Sequence, residues 1–194
     1  MSAVPEPRST LEDYLRLERQ SDVRHEFHDS LIVPIQAATR VHAQIVANLT
    51  TSLRTRFRGT PCRVYPQELR VWVPSQRRAL YPDLVALCGE HSFHDSERDM
   101  LLNPTLLIEV LSDSTQDYDH GAKFAYYRGI STFREYLLVS QRELLIERYL
   151  KDEEHPTRWL FEEFRPESGA LQLRSVPHAL RFDEVYEDVG FANE

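Results

Sequence analysis

"LLIEVLSDSTQDYDHGAKFAYY", Leu106 to Tyr127, opens with six residues that are apolar except for one glutamate, Glu109. A short and nearly all-apolar run bounded by polar residues is the pattern of a strand buried on both faces at the centre of a sheet. A carboxylate inside such a run loses its hydration and is costly unless it is paired, hydrogen-bonded or bound to a cation. Glu109 therefore either points to a wet edge or has a partner elsewhere in the chain.

Downstream, "QDYDHGAKFAYYRG" reads as a helix closed by Gly129 and carrying Lys123. "FREYLLVS" and "ELLIERYL" read as two strands joined by a tight polar turn at Ser140-Gln141-Arg142, followed by edge strands in "TRWLFEEF" and "ALQLRSV" and a terminal helix in "RFDEVYEDV". Upstream, "LYPDLVALCG" is a strand with Pro82 near its start, where a missing backbone donor is best tolerated. "CRVYPQ" and "ELRVWVP" are shorter strands, and "EHSFHDSERDMLLNP" is a polar connection with room for a helical turn. "ATRVHAQIVANLTTSLRTRFR" has Val41, Ile45, Val46, Leu49, Leu53 and Phe57 at helical spacing, with Gly59 to end it. "RHEFHDSLIVPI" suggests a strand pair turning at His28-Asp29-Ser30, and Ser9 or Thr10 can cap a helix over "STLEDYLRLE", with Glu12 three residues after Ser9. Residues 1–8 read as a flexible tail, and 9–194 as one domain with no repeat or linker to divide it. The fold class is α/β, a mixed central sheet flanked by helices.

The chain has 194 residues, 41% hydrophobic and 28% charged, which suits a soluble globular protein. It contains no apolar run long enough to span a membrane and no signal-peptide core. Cys62 and Cys88 have no metal-like or redox-like spacing, which fits a reducing cytoplasm and gives no disulfide framework. The net charge of −8 argues against strong nonspecific affinity for nucleic acid but suits carboxylates gathered around a divalent cation.

Three carboxylates lie in or beside apolar strands: Glu26 in "RHEFHD", Asp83 after Pro82, and Glu109. Were the strands neighbours, these groups would converge, and they repel unless a cation stands between them. Lys123 follows on the next helix. Each has a bland reading: Asp83 as a turn residue, Lys123 as a surface residue, Glu26 as a partner of Arg24 or of histidines. His91 and His94 have a spacing that metal sites use, in a polar segment without a zincin glutamate. His42 lies on an apolar helix face, either as a satisfied core histidine or in support of the site. Arg54, Arg56 and Arg58 suit a solvated helix end or a phosphate-contacting rim. Tyr127 falls one turn after Lys123 and can share its face.

Taken in order, "YPDLVAL", "LLIEVLSDST", "KFAYYR" and "FREYLLV" resemble the Uma (Uma-two) family of restriction-type endonucleases, in the PD-(D/E)xK superfamily. The likeness runs from "RHEFHDSLIV" to "ELLIERYL" and includes "VHAQIVANL". It implies a restriction-endonuclease-like fold and hydrolysis of phosphodiester bonds in DNA with magnesium, or manganese in its place. It implies Asp83 and Glu109 as metal ligands, with the Val110 carbonyl as a further oxygen, Lys123 as the catalytic lysine and Glu26 as the accessory acid. The partner of Glu109 is then the cation. Two features depart from the pattern. The superfamily's best-known lysine position, two residues after the acid, holds Leu111, so Lys123 must reach in from the helix. Ser30 stands where the family usually has glycine. The alternative reading is a nuclease-fold protein with little or no cleavage, acting as a nucleic-acid or protein binding module. The apolar hairpin with Trp159, Leu160 and Phe161 is expected to lack a covering helix and to make a homodimer interface.

Overall fold

In the computed structural model, which describes residues 9–191, α1 (Leu11–Glu18) starts at Thr10, whose hydroxyl accepts from Asp13 N while the Asp13 carboxylate accepts from Thr10 N. The capping box is thus Thr10–Asp13 rather than Ser9–Glu12: the reciprocal hydrogen bonds are made by Thr10, whose backbone is extended. The expected tail at residues 1–8 lies outside the described residues. The hairpin β1 (His25–His28) and β2 (Leu31–Pro34) follows. Its left-handed residue is Asp29, with φ of 62°, so the turn needs no glycine at position 30.

Helix α2 (Arg40–Arg56) buries Ile45, Val46, Leu49 and Leu53 on one face, as the spacing predicts. The chain then makes β3 (Cys62–Pro66), β4 (Arg70–Val73), β5 (Arg78–Leu80) and β6 (Leu84–Cys88). The polar connection after β6 holds no helix; it contributes β7 (Met100–Leu101) and a bridge from Phe93 to Leu101. Next come β8 (Leu106–Leu111), α3 (Gln116–Tyr118), a π-helical turn (Asp119–Lys123) and α4 (Phe124–Tyr127). Gly129 ends this stretch, and a Cβ there would meet Ser75 Oγ at 2.5 Å. The hairpin β9 (Glu135–Ser140) and β10 (Ile146–Lys151) leads to β11 (Trp159–Phe164), then β12 (Leu171–Gln172), β13 (Ala179–Leu180) and α5 (Phe182–Val185).

The strands form two larger sheets, β2-β1-β5-β4-β7 and β11-β10-β9-β8-β6-β3, while β12 and β13 pair with each other instead of extending a sheet edge. β8 occupies the expected interior place, antiparallel to β6 and parallel to β9. Its alternate residues serve two cores. Leu106, Ile108 and Val110 pack under α2 with Leu84, Leu137 and Val139. Leu107 faces the other sheet, among Val71, Leu80, Val85, Tyr127 and Leu138. Full burial of each such side chain stabilises the fold by about 1.5–3 kcal/mol. Helix α1 closes the outer face of the smaller sheet with Tyr14 against Phe27 and Trp72.

Two expectations are corrected. Cys62 and Cys88 are joined by a disulfide, because the antiparallel register of β3 and β6 sets them directly opposite. A separation of 26 residues in sequence carries no hint of this. The apolar hairpin is also better covered than expected. β9 is buried, Phe124 packs on Tyr136, Tyr149 and Trp159, and Leu144, Leu160 and Phe161 are the large residues left exposed there.

Candidate active site

The chain passes from one sheet to the other at Tyr81-Pro82, between β5 and β6, and the acidic residues collect at this crossover. Glu26 marks it from β1, where its Oε1 accepts from Tyr81 N at 3.0 Å and its Oε2 faces His28 Nε2 at 3.1 Å. Glu18, the last residue of α1, holds the same segment by accepting from the Tyr81 hydroxyl at 2.8 Å.

Asp83 and Glu109 meet across β6 and β8. Asp83 Oδ2 accepts from Val110 N at 2.7 Å, and Glu109 Oε2 lies 3.3 Å from Asp83 N. Val110 thus meets Asp83 through its amide. Lys123 enters from the π-helical turn with its Nζ 2.9 Å from Glu109 Oε2 and 3.4 Å from Asp119 Oδ1. The Tyr127 hydroxyl donates to Glu109 Oε1 at 3.1 Å. In this structure the direct partners of Glu109 are therefore Lys123, Tyr127 and the Asp83 amide. All four acidic and basic residues expected at the site, Glu26, Asp83, Glu109 and Lys123, come together, with Glu26 at the edge.

Four further residues belong to the cluster. His42, at the start of α2, places Nε2 2.9 Å from Asp83 Oδ1, and Gln67 donates to the same oxygen at 3.0 Å. Asp119 and Tyr118 flank Lys123 on the preceding turn, and Lys123 Nζ lies 5.9 Å from the centre of the Tyr118 ring. The sequence leaves both readings of His42 open and does not single out Gln67, Asp119 or Tyr118. For Asp119 the signal was present, since it stands four residues before Lys123 on a predicted helix.

The remaining candidates lie elsewhere. His91 Nε2 pairs with the Tyr65 hydroxyl at 3.0 Å, and the His94 ring packs on Trp72. His25 joins Glu18. Arg54 and Arg56 on the last turn of α2 sit about 20 Å from His42 at 1.5 Å per residue, with Arg58 just beyond the helix, and they do not line the site.

Charge is unbalanced here: Glu26, Asp83, Glu109 and Asp119 surround one ammonium. Glu109 is 2% exposed, and burial, with Asp119 and Asp83 adding to it, pushes its carboxyl well above the usual range despite Lys123. Burial likewise raises Asp119. Burial also acts on Lys123, but the surrounding carboxylates outweigh it and hold the ammonium charged. At the wetter rim the balance reverses. Burial of Asp83 is outweighed by His42, Lys123 and the Val110 amide, and burial of Glu26 by His28, Lys123 and the Tyr81 amide, so both carboxyls lie low.

Among the described residues no three histidine, cysteine, aspartate or glutamate side chains stand close enough to hold a metal ion as they are. The donor chemistry nevertheless fits a hard divalent cation. Asp83 and Glu109 offer carboxylate oxygens from adjacent strands, and the excess negative charge that raises Glu109 is what such a cation offsets.

The sequence model of the Uma2 family, described as "Putative restriction endonuclease", matches residues 11–183. The uncharacterized protein sll1609 of Synechocystis sp. is 30% identical over 164 residues, 84% of this chain and 92% of its own. A second uncharacterized Synechocystis protein, slr1290, is 27% identical over 189 residues, covering 97% of each. A crystal structure from Anabaena variabilis, titled as that of a "putative nuclease belonging to DUF820", superposes with a TM-score of 0.72 over 91% of this chain and 97% of that one, at 15% identity.

Proposed function

The chain belongs to the Uma2 family, and on that premise we propose that it is a divalent-metal-dependent endonuclease that hydrolyses phosphodiester bonds in DNA. Its fold is restriction-endonuclease-like α/β. The observation that carries the reading is the convergence of Asp83, Glu109 and Lys123 where β6 and β8 meet the π-helical turn. Asp83 and Glu109, with the Val110 carbonyl, are the residues to hold magnesium, or manganese in its place. A divalent cation held there supplies positive charge against the scissile phosphate and acidifies water.

The protein's own groups do the rest. Lys123, kept charged by its carboxylates, neutralises charge that builds on the phosphate or orients the attacking water. Glu26, ionised and facing the field of Lys123, helps hold that lysine or a second water. His42 and Gln67 fix the rotamer of Asp83. The domain acts as one nuclease unit, and the edge strand β11, with exposed Leu160 on one face and Phe161 on the other, offers the edge along which two copies would pair to cut both strands of a duplex. Composition points to the cytoplasm; the Cys62–Cys88 disulfide is the feature that weighs against it.

A second reading, binding without cleavage, is favoured by one observation. Both oxygens of Asp83 and both of Glu109 already have protein partners. One experiment separates the two. Supercoiled plasmid, linear duplex, single-stranded DNA and RNA are incubated with the protein and Mg²⁺, Mn²⁺ or EDTA, beside Asp83→Ala. Cation-dependent DNA cleavage lost in Asp83→Ala supports the nuclease. DNA binding without cleavage under every condition supports the second reading.

A further inference from the structure

Two buried polar atoms on consecutive residues have no hydrogen-bond partner among the described residues: Tyr118 Oη and Asp119 Oδ1. Both are shielded from bulk solvent. Each bears a desolvation penalty, and such atoms in a folded protein call for an explanation. Both flank the same group. Lys123 Nζ stands 3.4 Å from Asp119 Oδ1, in ion-pair range but without hydrogen-bond alignment, and 5.9 Å from the centre of the Tyr118 ring.

The backbone explains why both face the lysine. In an α-helix the residue four positions back shares a face with Lys123, while the residue five back points away. Asp119–Lys123 is a π-helical turn, whose wider winding pairs residues five apart and brings the ring of Tyr118 to 5.9 Å from the ammonium, near enough for its hydroxyl to be reached by a rotamer change of the lysine. The turn is anchored from outside: His120 Nε2 pairs with Glu147 Oε2 on β10 at 2.6 Å, and the Tyr136 hydroxyl donates to the Asp119 carbonyl.

We propose that Tyr118 Oη and Asp119 Oδ1 form a second seat for the Lys123 ammonium, taken up when Glu109 is engaged by something else. In the present arrangement Lys123 occupies Glu109 Oε2, the oxygen that also faces Asp83. A cation held by Asp83 and Glu109 competes with Lys123 for that oxygen. A lysine displaced into open apolar surroundings would oppose cation binding; one received by two waiting acceptors does not. Tyr118 and Asp119 are thus positioning residues. The cation half of this proposal rests on the nuclease reading, whereas the existence of the seat does not.

The test needs no metal. Glu109→Gln removes the first seat's charge, so Tyr118→Phe is measured in the wild-type and Glu109→Gln backgrounds by thermal unfolding. In the wild type, deleting an unpaired hydroxyl leaves the melting temperature unchanged or raises it. In Glu109→Gln the same deletion removes a partner in use and lowers the melting temperature by about 2–4 °C. Asp119→Asn behaves likewise, costing more in Glu109→Gln than alone. A shift of the same sign and size in both backgrounds overturns the seat. Should Glu109→Gln not fold, the ¹⁵N signal of the Lys123 side chain, assigned by its loss in Lys123→Arg, is followed during Mg²⁺ titration. Movement in the wild type that is altered in Tyr118→Phe supports the seat, and identical movement in both overturns it. A wild type that binds no Mg²⁺ refutes the metal reading, and the seat is then decided by the thermal comparison, made in Glu109→Asp, whose shorter carboxylate draws back from Lys123, where Glu109→Gln does not fold.

Discussion

His42 Nε2 lies 2.9 Å from Asp83 Oδ1, joining the first turn of α2 to the start of β6 across 41 residues of chain. Gln67 reaches the same oxygen from the end of β3, so Asp83 is oriented from two sides while Val110 N holds its other oxygen. Replacing His42 with alanine removes one of these supports without unpacking the core beneath Ile45 and Leu49. The expected result is a loss of about 10–100-fold in Mg²⁺ affinity by calorimetry, the usual scale for residues that orient a ligand, with thermal stability little changed.

Glu109→Gln should abolish Mg²⁺ binding, because glutamine keeps the shape but loses the charge a hard cation requires. Leaving a buried ammonium without its partner typically costs about 3–5 kcal/mol. Here the cost measured by urea denaturation should be smaller, since Asp119 remains 3.4 Å from Lys123. An unchanged Mg²⁺ affinity would remove Glu109 from the ligand set.

His120 provides a pH dependence. Burial opposes its charge, but the Gln116 carbonyl and the Glu147 carboxylate outweigh it and raise the imidazole above its ordinary 6.5. A raised folded-state value means that the contribution is fully present below pH 6.5 and disappears as pH climbs through the higher folded value. Wild type should thus lose stability relative to Glu147→Gln as pH rises above 6.5 and through the raised folded-state value, read from denaturation midpoints. Parallel curves would show that the pair does not titrate in this window.

The Cys62–Cys88 bond closes a loop with a sequence separation of 26. On the chain-entropy account such a loop is worth up to about 3–4 kcal/mol. Because five residue pairs join β3 to β6 and Asp83 lies at the other end of β6 from Cys88, a reductant or the double serine variant should lower stability by no more than this and leave Mg²⁺ affinity intact.

Phe161→Glu puts a charge on the exposed apolar edge of β11. If two copies pair there, light scattering should fall from twice the 22.8 kDa chain mass to a single chain in the variant. A wild type already at one chain mass rejects the dimer.

Much of the fold was readable because local patterns were strong. The run Leu106–Leu111 could hardly be anything but an interior strand, and the spacing from Val41 to Phe57 committed α2 to one buried face. β5 escaped notice because three residues in "QRRAL" carry too little alternation, and β7 because two residues within a polar loop carry none. The cap is Thr10, one of the two hydroxyls the sequence offers, since both suit the role and the position of the first turn chooses between them.

The same division holds for the site. Sequence alone determined that Glu109 needed a partner, because the penalty of burying a carboxylate follows from its apolar neighbours in the chain. Order and residue type were also enough to single out Asp83, Lys123 and Glu26. Only the tertiary structure decided who the partners are. His42 meets Asp83, Tyr127 meets Glu109 and Cys62 meets Cys88 through strand register and helix placement, which have no trace in linear spacing. The widened turn at Asp119–Lys123 belongs there too: it is held in place by contacts from β9 and β10, so winding that aims Tyr118 at the lysine could not be read from "QDYDHGAK" by itself.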